Sequence, residues 1–250
     1  MSAVSSSSGQ VGLLPAARDT EDDRLAGSDY ELKFVGDRWR REPVLRWLRL
    51  ACRPDPVFPE STICTVYYDT PDLDSLREKR NSDYLKTKLR LRWYRVGERV
   101  TDTAFVEVKL RFGARREKRR VAVPFESAWW KCGSLGIASL RDVPCLLRPA
   151  GIVMPDDYRP VLLVRYRRHR FIERHTGLRA SLDSDIHTPA VSRTVGLIPN
   201  PIPLPVTVFE FKGPHDHLPE SLRVLTTLGF RKASFSKYAA CYDHCLAPSG

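Results

Sequence analysis

Three short motifs in the sequence place a carboxylate two residues before a lysine. They are Glu31-x-Lys33, Glu107-x-Lys109 and Glu210-x-Lys212. In a β-strand, residues i and i+2 share one face, so each motif would present an acid and a base side by side. Carboxylates of this kind can hold Mg²⁺ or Mn²⁺, and the basic side chains can clamp phosphate oxygens. Cross-strand salt bridges would give the same pattern without a ligand, and the motifs alone leave both interpretations open.

Strand-like alternation surrounds each of these motifs. From Val106 to Phe112, apolar residues alternate with charged ones, which is typical of a strand with one apolar and one charged face. Comparable patterns predict eight strands, at residues 29–34, 63–69, 86–95, 103–112, 118–125, 160–173, 178–186 and 206–212. Helical spacing predicts helices at residues 42–51, 72–80, 126–147, 219–228 and 234–246. Because most connections are short, most neighbouring strands should be antiparallel, which gives an α+β fold.

The charged faces of these strands carry more bases than acids. The bases include Lys33, Lys88, Arg90, Arg92, Lys109, Arg111, Lys118, Arg120, Arg179 and Lys212, and the acids are Asp29, Glu31, Glu107, Asp183 and Glu210. An open sheet would turn these faces to solvent. Eight strands can instead close into a barrel, which removes exposed edges and encloses the charged faces. Enclosed charge is unfavourable unless it is compensated, so a closed sheet would favour a bound polyanion.

Composition agrees with an anionic partner. The chain has 250 residues, of which 42% are hydrophobic, so it can bury one sizeable core, and a single domain is expected. Its 41 Lys and Arg exceed its 30 Asp and Glu, giving a formal charge of +11. Such an excess favours nucleic acid, an acidic membrane surface or a phosphorylated small molecule as partner. The bases concentrate on strand faces rather than on an exposed helix or loop, which makes nucleic acid the weaker alternative.

The cysteines and the N-terminus bear on location. The six cysteines include no CxxC pair, which favours reduced thiols in a cytoplasmic protein over a disulfide framework. Cys241, His244 and Cys245 lack a second ligand pair with zinc spacing, so we expect no metal there. Residues 1–27 lack the basic and apolar regions of a signal peptide and are predicted to be a disordered leader before a domain at 28–246. No apolar run reaches the roughly 18 residues of a membrane-spanning helix.

Eight motifs together resemble one protein family. They are YELKF at 30–34, VYYD at 66–69, KLRLRWY at 88–94, FVEVK at 105–109, YRR at 166–168, RASLD at 179–183, FEFK at 209–212 and SFSKY at 234–238. Their identity and order are similar to the VTC domain, the polyphosphate polymerase domain of the vacuolar transporter chaperone complex. That domain is one of the CYTH-like triphosphate tunnel metalloenzymes. The stretch Asp29-x-Glu31-x-Lys33 resembles their ExExK signature, with Asp in place of the first Glu.

The resemblance implies an eight-stranded antiparallel β-barrel that forms a triphosphate tunnel, with helices packed outside and a C-terminal helix at the tunnel mouth. It implies catalytic phosphate contacts from Lys33, Arg90, Arg92, Lys109, Arg168 and Arg179. Further substrate-binding residues would be Lys88, Arg111, Lys118, Arg119, Lys212 and Lys237. The metal, Mn²⁺ or Mg²⁺, would be held by Glu210, with Glu31 and Glu107.

Three functional hypotheses follow. The first is an enzyme that transfers the γ-phosphoryl group of ATP to phosphate or to a growing polyphosphate chain, with pyrophosphate or triphosphate as related ligands. The second is a hydrolase of inorganic or nucleoside triphosphates on the same fold, since both enzymes need the same cationic clamp. The third is a non-catalytic module that binds polyanions or RNA. No P-loop or kinase signature is present, so side chains rather than a glycine-rich loop would hold the phosphates.

Overall fold

Eleven strands form one sheet in the computed structural model, which describes residues 30–113, 115–126, 135 and 138–246. They are β1 (Tyr30–Asp37), β2 (Cys52–Pro54), β3 (Glu60–Asp69), β4 (Leu85–Val96), β5 (Arg99–Val100), β6 (Thr103–Phe112), β7 (Arg115–Pro124), β8 (Arg159–Glu173), β9 (Arg179–Val191), β10 (Val206–Gly213) and β11 (Arg231–Lys232). Every pairing between them is antiparallel. The predicted leader, Asp29 and residues 127–134 and 136–137 of a predicted helix lie outside the described residues.

The eight predicted strands are all present, and the additional strands β2, β5 and β11 are two or three residues long. The largest difference is in β9, which was predicted to end at residue 186 and continues to Val191 through Pro189. Proline cannot donate to a strand ladder and is normally confined to edges or bulges. The register between β8 and β9 shifts between Leu163 and Arg165, so Pro189 lies at an irregularity of this kind.

The predicted closed barrel is not formed. The sheet order is β11-β1-β10-β9-β8-β3-β4-β6-β7, and no pairing joins β7 to β1 or β11 in the described part of the chain. The free edge of β1 is instead occupied by the segment before the last helix. Phe34 and Val35 pair with β11, and the carbonyl of Lys33 accepts a hydrogen bond of 2.9 Å from the amide of Ala233. The architecture is therefore a large antiparallel sheet with few helices.

Five short α-helices accompany the sheet in the described ranges. They are α1 (Arg41–Ala51), α2 (Asp74–Arg80), α3 (Ala138–Arg141), α4 (Val224–Thr227) and α5 (Lys237–Leu246). The helix predicted at 219–228 divides into a 3-10 helix, Glu220–Leu222, and α4, and α5 starts three residues later than predicted. Within the described ranges, no helix combines the length and apolar character needed to cross a bilayer.

Two hydrophobic clusters cover one face of the sheet, here called the outer face. One joins β3, β4 and β6 to the 3-10 helix Val143–Ala150 and includes Leu91, Trp93 and Val106. The other joins β1, β9 and β10 to α1 and includes Phe209. Each fully buried side chain of this size stabilises the fold by about 1.5–3 kcal/mol. The apolar sides of the alternating strands thus lie beneath helices, and their charged sides face the other way.

A third cluster lies on the opposite face, where α5 packs against β3 and β8. The ring of Tyr238 stacks on Tyr67 with 5.1 Å between centroids, and its hydroxyl donates to Asp69 at 2.8 Å. Asp69 also accepts the backbone amides of Ser75 and Leu76, at 2.8 and 3.1 Å, which satisfies the first turn of α2. The final helix is therefore docked on the charged side of the sheet. All five described cysteines, including two on α5, are free thiols.

Candidate active site

One face of the sheet, here called the inner face, collects the charged side chains and carries α5. Because side chains alternate along a strand, Arg90 and Arg92 of β4 share this face, and Leu91 is fully buried on the outer face. Inner-face residues of distant strands lie close enough to interact. The charge of Glu31 on β1 influences the pKa of Lys109 on β6, although the two strands do not pair. The sheet thus brings its two halves to a common charged region.

Glu107 is buried between arginines of two neighbouring strands. In the strand register it lies opposite Arg90 of β4 and Arg120 of β7. Its Oε2 is 2.5 Å from Nε of Arg90, and its Oε1 is 3.5 Å from Nε of Arg120. Burial would raise the pKa of Glu107, but Arg90, Arg92 and Arg120 outweigh this effect and hold the pKa well below its ordinary value. Glu107 therefore remains ionised and orients the arginines around it.

Beside the arginines, three lysines occupy directly opposed positions, here called the lysine row: Lys88 of β4, Lys109 of β6 and Lys118 of β7. Burial, and then Arg90, lower the pKa of Lys109 to about 7. Burial, and then Lys33, lower that of Lys88 to about 8. Among the described residues, neither of these two ammonium groups makes an ion pair or a hydrogen bond. Like charges opposed across strands are destabilising, so a bound anion would relieve an unfavourable arrangement.

Near α5, two cations and two carboxylates form a buried tetrad: Arg168, Asp183, Glu210 and Lys237. Arg168 binds Asp183 through Nε and Nη2, at 2.6 and 2.7 Å, and its Nη2 lies 2.6 Å from Oε2 of Glu210. The Nζ of Lys237 is 2.6 Å from Asp183 and 2.9 Å from Glu210. Burial opposes ionisation of Glu210, but Lys237 and Arg168 lower its pKa well below the ordinary value. The tetrad therefore satisfies its own charges.

Lys33 connects the tetrad to the rest of the inner face. Its Nζ lies 3.7 Å from Oε1 of Glu31 and 3.7 Å from Oε1 of Glu210, and it donates to the carbonyl of Phe235 at 3.3 Å. The side chain of Glu31 is one-third exposed, at 33%. Burial would raise the pKa of Glu31, but Lys33 and then Lys109 lower it. A carboxylate and an ammonium group thus lie between the tetrad and the lysine row.

This arrangement can be compared with known families. A family model described as the VTC domain matches residues 29–246 of the chain. The chain belongs to the VTC domain family. The match confirms the resemblance drawn from the order of the sequence motifs. Among curated protein sequences, none matches the chain significantly.

Several solved structures are similar to this chain at low sequence identity. A candidate adenylyl cyclase from Hippeastrum, described as having a dominant triphosphatase activity, is 15% identical with a TM-score of 0.51, and the alignment covers 87% of this chain and 97% of that one. A candidate adenylate cyclase from Bacillus halodurans is 13% identical with a TM-score of 0.48, covering 84% and 96%. A protein from Pyrococcus horikoshii OT3 is 14% identical with a TM-score of 0.46, covering 86% and 99%. The Hippeastrum likeness shows a shared fold.

Most of the predicted site residues come together on the inner face of this VTC domain. They are Glu31, Lys33, Lys88, Arg90, Arg92, Glu107, Lys109, Lys118, Arg168, Glu210, Lys212 and Lys237. Lys212 is exposed and lies opposite Glu31 in the register of β1 and β10. The arrangement places catalytic and substrate-binding candidates from six strands and α5 beside one another.

Three other predicted residues lie apart from this group. Arg119 faces outward, because it is opposite the buried Val108, and its Nε is 2.7 Å from Glu117. Arg111 shares the face of Lys109 but lies beyond the lysine row, exposed at the end of β6, where it donates to the carbonyl of Gly113 at 2.6 Å. Arg179 is the exposed first residue of β9.

Two residues outside the predicted site set belong to the cluster. Arg120, not Arg119, is the β7 arginine that meets Glu107, and Asp183 completes the tetrad. The sequence contains a signal for both, since alternation already places Arg120 on the face of Lys118 and Asp183 on that of Arg179. What the sequence lacks is the identity of the neighbouring strands that supply their partners.

The carboxylates differ in how well they fit a divalent cation. Arginines occupy both oxygens of Glu107, so this residue does not fit the predicted role of a metal ligand. Within the described part of the chain, no three His, Cys, Asp or Glu side chains form a group that could hold an ion. Mg²⁺ at phosphate sites is commonly bound by one or two carboxylates plus substrate phosphates. Glu31 fits that pattern. Arg168 and Lys237 occupy both oxygens of Glu210, so this residue, like Glu107, does not fit the predicted role of a metal ligand.

Proposed function

We propose that this VTC-domain protein is an enzyme that binds a triphosphate on the inner face and transfers a phosphoryl group, with ATP as donor and polyphosphate as product. The observation that carries the proposal is the lysine row. Lys88 and Lys109 are opposed, partly buried and shifted toward their neutral forms. The family match and the triphosphatase activity described for the Hippeastrum neighbour agree with an enzyme of triphosphates.

A triphosphate would remove the electrostatic strain of the lysine row. Its negative oxygens would supply the direct ionic contact that neither Lys88 nor Lys109 has among the described residues, and would return both groups to their protonated forms. Each ammonium has three donors that can bind phosphate oxygens as a point charge. Binding energy from this source is available only to a ligand of high charge density.

The arginines beside the row are held in place before the ligand arrives. Glu107 binds Arg90 at 2.5 Å and lies 3.8 Å from Nη1 of Arg92, so both guanidinium groups keep their orientation. Donors that are already oriented stabilise the charge developing on a transferring phosphoryl group without further reorganisation. Arg90, Arg92 and Lys109 are therefore the residues we assign to stabilising the transition state, and Lys33 completes the clamp from β1.

The metal would act beside the same phosphates. Glu31 is the carboxylate that would hold Mg²⁺ or Mn²⁺, which would neutralise part of the phosphate charge, and Glu210 lies on the other side of Lys33, bound to Arg168 and Lys237. On this chain, Lys33 lies 3.7 Å from both carboxylates and keeps them ionised and adjacent. Lys237, fixed by the tetrad, closes this side of the site from α5. In this proposal the inner face and α5 together enclose a tunnel-like channel, although the strand edges do not pair.

A triphosphate hydrolase is the second candidate. The two reactions use the same clamp and differ in the attacking oxygen, which comes from a phosphate in polymer synthesis and from water in hydrolysis. The activity described for the Hippeastrum neighbour favours testing hydrolysis alongside synthesis. A module that binds polyphosphate or RNA without turnover is the remaining hypothesis.

One assay separates these functions. The purified protein is incubated with ATP or inorganic triphosphate and Mn²⁺ or Mg²⁺, and the products are examined on a gel for a polyphosphate ladder and in solution for free phosphate. A ladder supports the polymerase, and phosphate without a ladder supports the hydrolase. Lys109→Ala should abolish either activity, and Arg119→Ala, on the outer face of the neighbouring strand, is the matched control. Absence of both products with wild-type protein would overturn the enzymatic proposal.

A further inference from the structure

An exposed aromatic residue precedes the inner-face cations of β4. Tyr84 immediately precedes β4, two residues before Lys86 and four before Lys88, and its ring lies against Gly113 just beyond the end of β6. Its backbone carbonyl accepts a hydrogen bond of 2.9 Å from the amide of Gly113, which prolongs the ladder between β4 and β6. The Tyr84 side chain is 72% exposed. A large aromatic side chain in this position has no role in the three hydrophobic clusters.

The ring of Tyr84 packs against Gly113. Its φ of +59° is a conformation that side-chain-bearing residues rarely adopt. A Cβ at this position would lie 2.6 Å from Cζ and 2.8 Å from Oη of Tyr84, closer than such atoms approach. The ring therefore rests on the glycine backbone, in space that only glycine leaves open. Its orientation is fixed from one side, and most of its surface remains accessible.

The space between the ring and the lysine row is cationic. Lys86 of β4 and Arg111 of β6 are directly opposed there. Lys79 of α2 belongs to the same group, because burial and then the charges of Lys86, Lys33 and Arg111 lower its pKa. From Lys88 to Tyr84 is four residues, or about 13 Å at about 3.3 Å per residue. This separation is comparable to the distance between the terminal phosphate and the base of an extended nucleoside triphosphate.

We propose that Tyr84 stacks on the base of the nucleoside triphosphate whose phosphates bind the lysine row; this inference rests on the proposed function. Lys86 and Arg111 then lie along the path of the inner phosphate and the ribose. An aromatic ring offers its face to any base, so stacking of this kind is tolerant of base identity. Tyr84 therefore distinguishes nucleoside triphosphates from inorganic triphosphate, and it discriminates little between ATP and GTP.

Binding measurements by calorimetry test the inference. The affinities of the full chain for ATP, GTP and inorganic triphosphate are compared between wild type, Tyr84→Ala and Tyr84→Phe. Tyr84→Ala should lower the affinities for ATP and GTP about fivefold to tenfold, the lower part of the range for stacking on one base. The affinity for inorganic triphosphate should be unchanged. Tyr84→Phe should retain the wild-type affinities. Trp39→Ala is the matched control. Trp39 is also an exposed aromatic residue, at 68%, but it lies just before α1, the helix that covers the outer face.

Gly113→Ala provides a second route to the same result. The added methyl group must displace the ring, so this variant should lose nucleotide affinity as Tyr84→Ala does, with inorganic triphosphate again unaffected. Equal losses for all three ligands, or no loss in either variant, would overturn stacking while leaving the proposed function intact. If wild-type protein binds neither ATP nor inorganic triphosphate, the proposed function fails, and this inference fails with it.

Discussion

Two regions of the inner face use buried charge in opposite ways. In the tetrad, carboxylates and cations approach within 2.6 to 2.9 Å, and the pKa shifts favour the charged forms, with Glu210 ionised and Lys237 protonated. In the lysine row, the pKa values of Lys88 and Lys109 move toward the neutral forms. The difference teaches that charge on one face serves two purposes. The tetrad is complete and holds α5, whereas in our proposal the lysine row depends on a ligand.

The largest expected effect comes from breaking the tetrad. Asp183→Ala removes the carboxylate that binds both Arg168 and Lys237 and leaves buried cations uncompensated. Loss of one partner from a buried ion pair costs about 3–5 kcal/mol, so the free energy of unfolding measured with urea should fall by that amount. Asp185→Ala, which breaks the 2.9 Å pair with Arg41 outside the tetrad, is the control and should have a smaller effect. Equal effects would remove the distinction between the two regions.

The lysine row should respond in the opposite sense. Lys109→Met keeps the bulk of the side chain and removes a cation that is desolvated and faces Lys88. We expect the unfolding free energy to be unchanged or higher, and turnover to fall about a hundredfold or more, as for other donors that stabilise transition-state charge. Denaturation curves and single-turnover rates on the same preparation check both parts. Loss of stability together with activity would place Lys109 among the structural residues.

The dependence of ligand binding on pH distinguishes the regions by sign. In the free protein Lys109 and Lys88 lose protons near pH 7 and 8. A bound triphosphate raises both pKa values, so affinity should fall as pH rises from about 6 to about 9, and binding near pH 8 should take up protons. Calorimetry in two buffers of different ionisation enthalpy measures this uptake. Lys109→Met should take up fewer protons, and a pH-independent affinity in the wild type would contradict the role of the row.

The same pKa shifts give opposite trends in stability. A lysine with a lowered folded-state pKa disfavours folding fully below that pKa, and the effect disappears as pH rises toward its unfolded value of about 10.4. The lysine row should therefore destabilise the fold of the ligand-free protein least at alkaline pH. Glu210, whose pKa is lowered, stabilises the fold above its unfolded pKa of about 4.3, and this contribution is lost as pH falls through the folded-state value. Urea denaturation of Lys109→Met and Glu210→Gln across pH separates the two trends.

The smallest effects compare neighbouring arginines on β7. Arg120 lies 3.5 Å from Glu107 on the inner face, whereas Arg119 faces outward. Arg120→Ala should lower the affinity for inorganic triphosphate about tenfold, equivalent to about 1.4 kcal/mol, because it removes a cation beside the lysine row. Arg119→Ala should change the affinity less than about twofold, as is usual for exposed charges. Reversal of this order in a titration would show that the register of β7 does not define the site.

Local periodicity was sufficient to predict the faces of strands such as β4 and β7, whereas β8, with arginines on both faces, was ambiguous. Arg90 and Arg92 lie on the inner face as their spacing indicates, and the same rule places Arg120 beside Lys118. The resemblance to a family instead suggested Arg119, one residue away, and a shift of one residue reverses the face. The physical pattern was the better guide at this position.

The partners and the closure of the sheet depend on contacts between distant segments. Asp183 meets Arg168 and Glu210 only because β8, β9 and β10 are neighbours, and no local pattern specifies that order. The edge of β1 is occupied by β11, a strand of two residues that is too short to give a periodic signal. Closure was therefore expected from the number of strands, and the segment that instead pairs with the edge of β1 could not be predicted from the sequence.

The carboxylate of Asp69 has a consequence for how the final helix could be followed in solution. It accepts the amides of Ser75 and Leu76 and the hydroxyl of Tyr238, so α2 and α5 share one anchor. If α5 moves away from the sheet, Asp69 loses the hydrogen bond from the Tyr238 hydroxyl. The carboxylate is then held less rigidly, and its hydrogen bonds to the two amides weaken. The hydrogen–deuterium exchange rates of these two amides should therefore report movement of α5 away from the inner face, without any label on the helix.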